Sequence, residues 1–526
     1  MLWAPHSASR ARCRSSAFAS TTGASSTRPS FARPSFTRGG GERAAGGDGL
    51  RALLGAWLCA LLCGCSSDTS GELGPGGSAS GAGAGGQSPS VTGGAGGTEA
   101  DGRAGASGGG VAAAGGGGAP AAGASGGAGG TTSGDDLTEA LYAPDQFPRF
   151  DIDLSEASLA ALAAVTSAQD PAQDTYVSAS LTYLDQTVTN IGLRIKGEFS
   201  FQGLDRKPAF KLKFDEFVPD QSFLGLRRLT LNNAYEDPSF VAERLAYDVF
   251  RAAGLPAPRC NNATVYVNGV YYGVYVNIEP EDKTFLRRWF ASDEGNLYEE
   301  GQVDLAPGAE TVFNLETNEE LNDRSDLVAL IASIEAASDA TFLDDMGEHL
   351  DTAQFLKFTA AEAAVNQWDM YAYTLFTVNN LRLYSDPTSG KFAFIPWGMD
   401  MSMKPYAGPF IPLFELAHRG DDADQPISSG IIFQRCLASG PCRDAYADAA
   451  REIVAVYEGL DLEQRALDYH DQILEQVRLD TRKNICCEED DTLTNEAFEA
   501  SFQSVLATVR GRVAALQADL DALDAP

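Results

Sequence analysis

Histidine is nearly missing from this sequence, with four in 526 residues, at positions 6, 349, 418 and 470. A histidine-dependent hydrolase or a histidine-ligated zinc site has little to work with. No C-x-x-C pair occurs, and near Cys486 and Cys487 the only histidine is His470. Basic residues are also short. Lys and Arg number 39 against 72 Asp and Glu, a formal charge of −33, and from Asp135 onward 30 basic residues face 66 acidic ones. Such a surface repels phosphate backbones and anionic lipid heads, which argues against nucleic acid and charged membranes as electrostatic partners. It suits a secreted protein that must stay soluble. No stretch reaches the roughly 18 apolar residues that a transmembrane helix needs.

What is present is unevenly spread. Of the 55 glycines, 27 fall between Ser66 and Gly134. Residues 1–51 hold eight Arg and two acids, Glu42 and Asp48. Arg51, the apolar run Leu53 to Cys63, and Gly64-Cys65-Ser66 then read as an export signal. The ending Leu62-Cys63-Gly64-Cys65 resembles a bacterial lipobox, which would make Cys65 the lipidated mature N-terminus. An ordinary signal-peptidase site is the plainer alternative, and an initiation codon assigned too far upstream explains the long basic stretch. The Gly/Ala/Ser tract that follows buries too little to offset its chain entropy and reads as a disordered tether. The expected organisation is a leader over 1–65, a linker over 66–134, a β-rich lobe over 135–283, a helical lobe over 284–480 and a helical extension over 481–526. The expected location is outside the cytoplasm, lipid-anchored to the cell envelope and facing the periplasm or cell surface.

Cysteine usage fits export. Cys436 and Cys442 flank Leu-Ala-Ser-Gly-Pro, a short span that a disulfide could close. Cys260 is expected to pair with Cys486 or Cys487, leaving one odd thiol.

Alternation marks strands at Tyr176–Tyr183, Ile191–Lys196 and Phe210–Phe214, the last with Lys211 and Lys213 on one face. One helix interrupts them, starting at Asp237-Pro238 and stopped by Gly254. Thr264–Val267, Asn268-Gly269 and Val270–Ile278 form a hairpin signature. Apolar residues at helical spacing then predict helices over Leu327–Ala337, Thr352–Asn366, Cys442–Glu458, Leu462–Leu479 and Asn495–Leu523. A second hairpin sits among them, Leu381–Ser385 and Lys391–Ile395 around Asp386–Gly390.

The polar residues that need explaining gather at this hairpin. Asp369 follows a helix, Asn380 enters the hairpin and Asp400 leaves it, so Asn380 and Asp400 should be close in space. One Asn and two carboxylates can hold hard cations through oxygen and position a nucleophile. Taken singly, they read equally as a turn cap, a strand end and a surface acid. Elsewhere, Asp421-Asp422-Ala-Asp424 lacks Ca²⁺-loop spacing and reads as a solvated loop, and Arg419-Gly-Asp421 as a chance tripeptide. Tyr266, Tyr271, Tyr272 and Tyr275 read as hairpin core.

Five fragments, in order, resemble the CotH-type spore-coat kinase family: Leu193-Arg-Ile-Lys-Gly197, Lys207 to Phe214, Val267 to Tyr275 with Glu279, Gly295-Asn-Leu-Tyr298, and Phe394-Ile-Pro-Trp-Gly-Met-Asp400. The resemblance spans roughly residues 145–480. It implies an α+β fold, a reduced, atypical two-lobe protein kinase, using ATP with Mg²⁺ or Mn²⁺. By that resemblance Lys196 to Gly203 is the phosphate-covering turn. Lys207, Lys211 and Lys213 are candidates for the phosphate-binding lysine; Lys211 is favoured, although spacing does not separate it from Lys213. Glu243 becomes the lysine's partner, with a solvated helix face as the alternative. Glu279 to Glu281 fall where a nucleotide-binding hinge would lie. Asp369 becomes the catalytic acid, and Asn380 and Asp400 the metal ligands.

Two departures stand out. Asn380 lies eleven residues after Asp369 rather than five, and no Asp-Phe-Gly occurs. Many family members carry Trp-Asp-x-Asp where this chain has Trp397-Gly398-Met399-Asp400. Two readings follow. One is a kinase that phosphorylates hydroxyl side chains of secreted or envelope proteins and meets the membrane only through a lipid anchor. The other is a catalytically inactive pseudokinase-like module that binds a partner or assembles a surface coat.

Overall fold

Seven strands curl into a closed barrel: β1 (Arg149–Leu154), β2 (Val177–Tyr183), β3 (Gln186–Lys196), β4 (Ala209–Lys213), β5 (Arg228–Asn232), β6 (Cys260–Val267) and β7 (Val270–Ile278). Their order is β1-β2-β3-β4-β5-β7-β6. Closure comes from parallel pairing of β1 with β6, where Ile152 lies opposite Val267. The Asn268-Gly269 turn serves twice here. Both residues take positive φ, 48° and 75°, as a tight hairpin demands. The Asn268 side chain also brackets Leu154, accepting from its N–H at 2.7 Å and donating to its carbonyl at 3.1 Å.

The computed structural model describes residues 138–374, 377–405, 410–415, 429–486 and 492–525. The leader, Cys65, the Gly-rich tract, the Arg419–Asp424 run and Cys487 lie outside them. No helix among the described residues is long and apolar enough to cross a membrane.

Strict alternation sends Phe150, Leu193, Ile195, Phe210, Leu212, Leu229, Leu231 and Val265 into the barrel, where they are buried. Lys196, Lys211 and Asn232 therefore point outward. Helix α3 (Ala242–Ala252), after α1 (Glu139–Tyr142) and α2 (Glu156–Ala164), completes this half. The expectation of one helix is thus corrected. Helix α2 gives no apolar stripe, since Leu162 alone of its residues is buried, and its signal is the cap Ser155, which accepts from Ser158 N–H. Helix α3 also begins later than Asp237-Pro238 suggested. Asp237 caps it from a turn away, accepting from the Glu243 N–H at 3.3 Å.

The second half contains a four-stranded sheet ordered β11-β10-β8-β9, built from β8 (Asn296–Glu299), β9 (Asn314–Leu315), β10 (Leu381–Asp386) and β11 (Lys391–Pro396). Around it lie α4 (Lys283–Trp289), α5 (Ser325–Ala336), α6 (Phe342–Met346), α7 (Thr352–Ala364), α8 (Ile431–Ala438), α9 (Gly440–Gly459), α10 (Leu462–Leu479) and α11 (Asn495–Leu523). Helix α11 is integral, because its fully buried Arg512 donates to the carbonyls of Ala363 and Ile411.

A buried ion pair joins the two halves. Lys207 Nζ sits 2.6 Å from Asp480 Oδ2, beyond the end of α10. The same oxygen accepts from Val274 N–H, and a Cβ at residue 273 would fall 2.0 Å from it, so Gly273 is required. Cys436 and Cys442 form the expected disulfide. Cys260 does not pair: it is a buried free thiol, while Cys486 is disulfide-bonded. Cys260 lies on β6, against which α3 packs, and the Cys486 main chain is tied instead to the Tyr235 carbonyl.

Candidate active site

The turn after α7 presents Asp369. Two features hold it. Glu362, a fully buried carboxylate on α7, accepts from the N–H groups of Ala372 and Tyr373 at 3.0 and 2.8 Å. Asp369 Oδ2 itself accepts from the side-chain amides of Asn379 at 2.9 Å and Asn380 at 2.8 Å. Asn380 also donates to the Asp369 carbonyl, and Glu300 fixes the hairpin entry by accepting from the N–H groups of Asn380 and Leu381.

At the exit of the hairpin, Gly398 adopts φ 56° and ψ 55°. A Cβ there would lie 2.3 Å from Asn380 Oδ1. Asp400 follows in a short 3-10 turn, Met399–Met401, against which α3 packs. Asp369, Asn380 and Asp400 thus converge around the hairpin.

Lys196 faces the same space. Its Nζ donates to Asn232 Oδ1 at 2.5 Å and stands 5.3 Å from the Trp397 ring centre. Burial lowers its pKa, opposed first by Glu243 and then by Asp400. Glu243 is fully buried on α3, not on a solvated face. Burial, Asp400 and Asp237 push its pKa well up, with Lys196 and the Asn232 side chain opposing.

The other lysines separate from this cluster. Lys207 is consumed by Asp480, and Lys213 pairs with Glu216 at 2.8 Å. Lys211 faces the second sheet, where burial lowers its pKa to about 8, helped by Arg382 and Arg194. Glu279 is locked by Arg259 at 2.8 Å and Arg288 at 2.6 Å, so its carboxylate serves structure. The phosphate-turn candidate keeps Gly197 at φ 114°, its carbonyl held by Gln173 Nε2 at 2.6 Å.

Burial raises Asp369 to about 6; the Asn379 hydrogen bond opposes the shift and the Asp400 charge adds to it. Asp400 is raised by burial too, opposed by Lys404 and Lys196. Asp369 would titrate near neutrality, as a general base requires. Sequence reasoning missed Glu236, Lys404, Asn232, Glu300 and Glu362. No motif spacing announces them, since each reaches the site through long-range packing.

A family model described as CotH kinase protein matches residues 193–511, and the chain belongs to that family. Among curated relatives, the inner spore coat protein H of Bacillus subtilis (strain 168) is 27% identical over 195 residues, covering 35% of this chain and 52% of that protein. The inner spore coat protein H-like protein of the same organism is 27% identical over 168 residues, covering 32% and 49%. The chain therefore spans about half the length of the curated relatives it matches. A solved structure, the Helicobacter pylori proinflammatory kinase CtkA, aligns at 11% identity and a TM-score of 0.28, covering 66% of this chain and 92% of that one.

Proposed function

We propose that this chain transfers the γ-phosphoryl group of MgATP or MnATP to hydroxyl side chains of secreted or envelope proteins, as a lipid-anchored enzyme outside the cytoplasm. The observation that carries the reading is the meeting of Asp369, Asn380 and Asp400 at one hairpin, with Lys196 facing them. Phosphoryl transfer needs little covalent chemistry from the protein; it needs charge placed where phosphate oxygens sit and a group to orient the acceptor.

The roles follow from the chemistry of each group. Asp400 and Asn380 offer oxygen donors suited to a divalent cation, which would neutralise phosphate charge when bound. The fully buried Glu243 carboxylate, in the field of Asp400, fits a site that gathers negative charge for a cation. Lys196 replaces Lys211 as the phosphate-binding lysine in this reading, because it alone of the candidate lysines lies between Glu243 and Asp400. Asp369 accepts the proton of the acceptor hydroxyl. Glu279 is set aside as a nucleotide contact.

Labelled phosphate transfer from ATP to a Ser-containing acceptor tests this. It should fall about 10²-fold or more in Asp369→Ala, and transfer that survives in Asp400→Ala contradicts the metal assignment. Gly398 favours a second reading, a partner-binding pseudokinase-like module, which predicts no transfer and no response to MgATP.

A further inference from the structure

Three consecutive side chains follow α7 and lead into Asp369, and the chemistry above gives them no part. Asn366, Gln367 and Trp368 are all buried, none more than 1% exposed. Along a helix three such neighbours would fan about 100° apart. Here Asn366 takes a left-handed φ of 56°, a conformation that asparagine tolerates better than most residues. All three side chains then reach one stretch of chain, the segment that carries Asp400.

Each of them bonds to main chain there. Gln367 Nε2 donates to the Gly398 carbonyl at 2.9 Å, two residues before Asp400, while its Oε1 accepts from the Asp369 N–H at 3.3 Å. One amide therefore touches both turns. Trp368 Nε1 and Asn366 Nδ2 both donate to the Lys404 carbonyl, at 2.9 and 2.7 Å, four residues after Asp400. The Asn366 oxygen accepts from the Ile411 N–H at 2.8 Å, and the Met403 N–H donates to the Val365 carbonyl at 2.8 Å. Asp400 is thus held on both flanks by the residues that lead into Asp369. Apolar side chains of similar size would fill this space without the cost of burying two amides and an indole N–H. What they would not supply is a fixed register between the two turns.

We propose that Asn366, Gln367 and Trp368 are positioning residues that set the separation of Asp369 from Asp400, and with it that of the acceptor hydroxyl from the cation-bound phosphate. The inference rests on the roles given to Asp369 and Asp400 above. Gln367 matters most, because its amide bonds to the main chain of both turns. Misplacement by about 1 Å can cost about 10²-fold in rate. Loss of this amide should therefore be felt in turnover more than in nucleotide binding, which Lys196 and Asp400 still supply.

The test is steady-state phosphate transfer from MgATP to a Ser-containing acceptor by the full chain, measured beside its melting temperature. Gln367→Met keeps the length of the side chain without its amide, and Trp368→Phe keeps a ring without the indole N–H. Gln367→Met should lower kcat about 10-fold or more and leave the KM for ATP within about 3-fold. Trp368→Phe should lower kcat by a smaller factor, again with little change in KM. In an Asp369→Ala background, Gln367→Met should cost less than about 3-fold more, because the two residues act as a unit. A residue that only supports the fold gives another pattern, a lowered melting temperature and a loss that multiplies with that of Asp369→Ala. That pattern, or wild-type kcat in both Gln367→Met and Trp368→Phe, overturns the inference and leaves the phosphate-transfer reading standing. No transfer by wild type overturns that reading and this inference together.

Discussion

Lys196 and Lys211 leave the outer surface of adjacent strands, and only their neighbours tell them apart. Lys196 meets Asn232, Glu243 and Asp400, whereas Lys211 meets Arg382, Arg194 and Glu316. Replacing Lys196 by Met should lower phosphate transfer about 10²-fold or more, a loss of about 3 kcal/mol of transition-state stabilisation; Lys211→Met should change it several-fold at most. Equal effects would reassign the lysine. Asp369 gives a second residue-scale expectation. A base must be deprotonated to act, so transfer should rise with pH through about 6 and then level. Gly398→Asp should not add a working acid to the site. Strain at positive φ and collision with Asn380 should cost about 1–3 kcal/mol, seen as a lowered melting temperature. The lysine choice was not legible in the sequence, because it depends on which face of the closed barrel meets α3. The Asp369–Asn380–Asp400 grouping was legible, because a hairpin must bring its own ends together.

At the scale of elements, strands and hairpins followed from alternation and from Asn268-Gly269, and α10 and α11 begin and end where apolar spacing placed them. Helix α2 did not, because alanine exposes no stripe for periodicity to detect. Barrel closure was equally hidden, since the parallel β1–β6 pairing joins strands more than a hundred residues apart. The same long-range packing makes the Lys207–Asp480 pair decisive. Lys207→Ala leaves a buried carboxylate without its cation and should cost about 3–5 kcal/mol, measured by chemical denaturation. Losing the Cys436–Cys442 disulfide, which closes a separation of six residues, should cost less, about 2 kcal/mol.

For the whole molecule, buried carboxylates set the response to pH. Burial pushes Glu236, Glu281, Glu300 and Glu362 up to about 8 from an ordinary value of 4.5. The folded state therefore holds protons that the unfolded chain releases. The stability this gives is complete below about 4.5 and lost as pH rises through about 8. The metal-free chain should melt at a lower temperature at pH 8 than at pH 5, and a divalent cation with nucleotide should recover more at pH 8, where the site carboxylates carry charge.

A working nucleotide and metal site built on Asp400 underlies the proposed activity. Its most direct test is a thermal-shift titration of the full chain with ATP, with and without Mg²⁺ or Mn²⁺, beside Asp400→Ala. A metal-dependent rise is expected in wild type, growing with ligand concentration and absent from the variant. No rise in wild type, or an equal rise in Asp400→Ala, would contradict it.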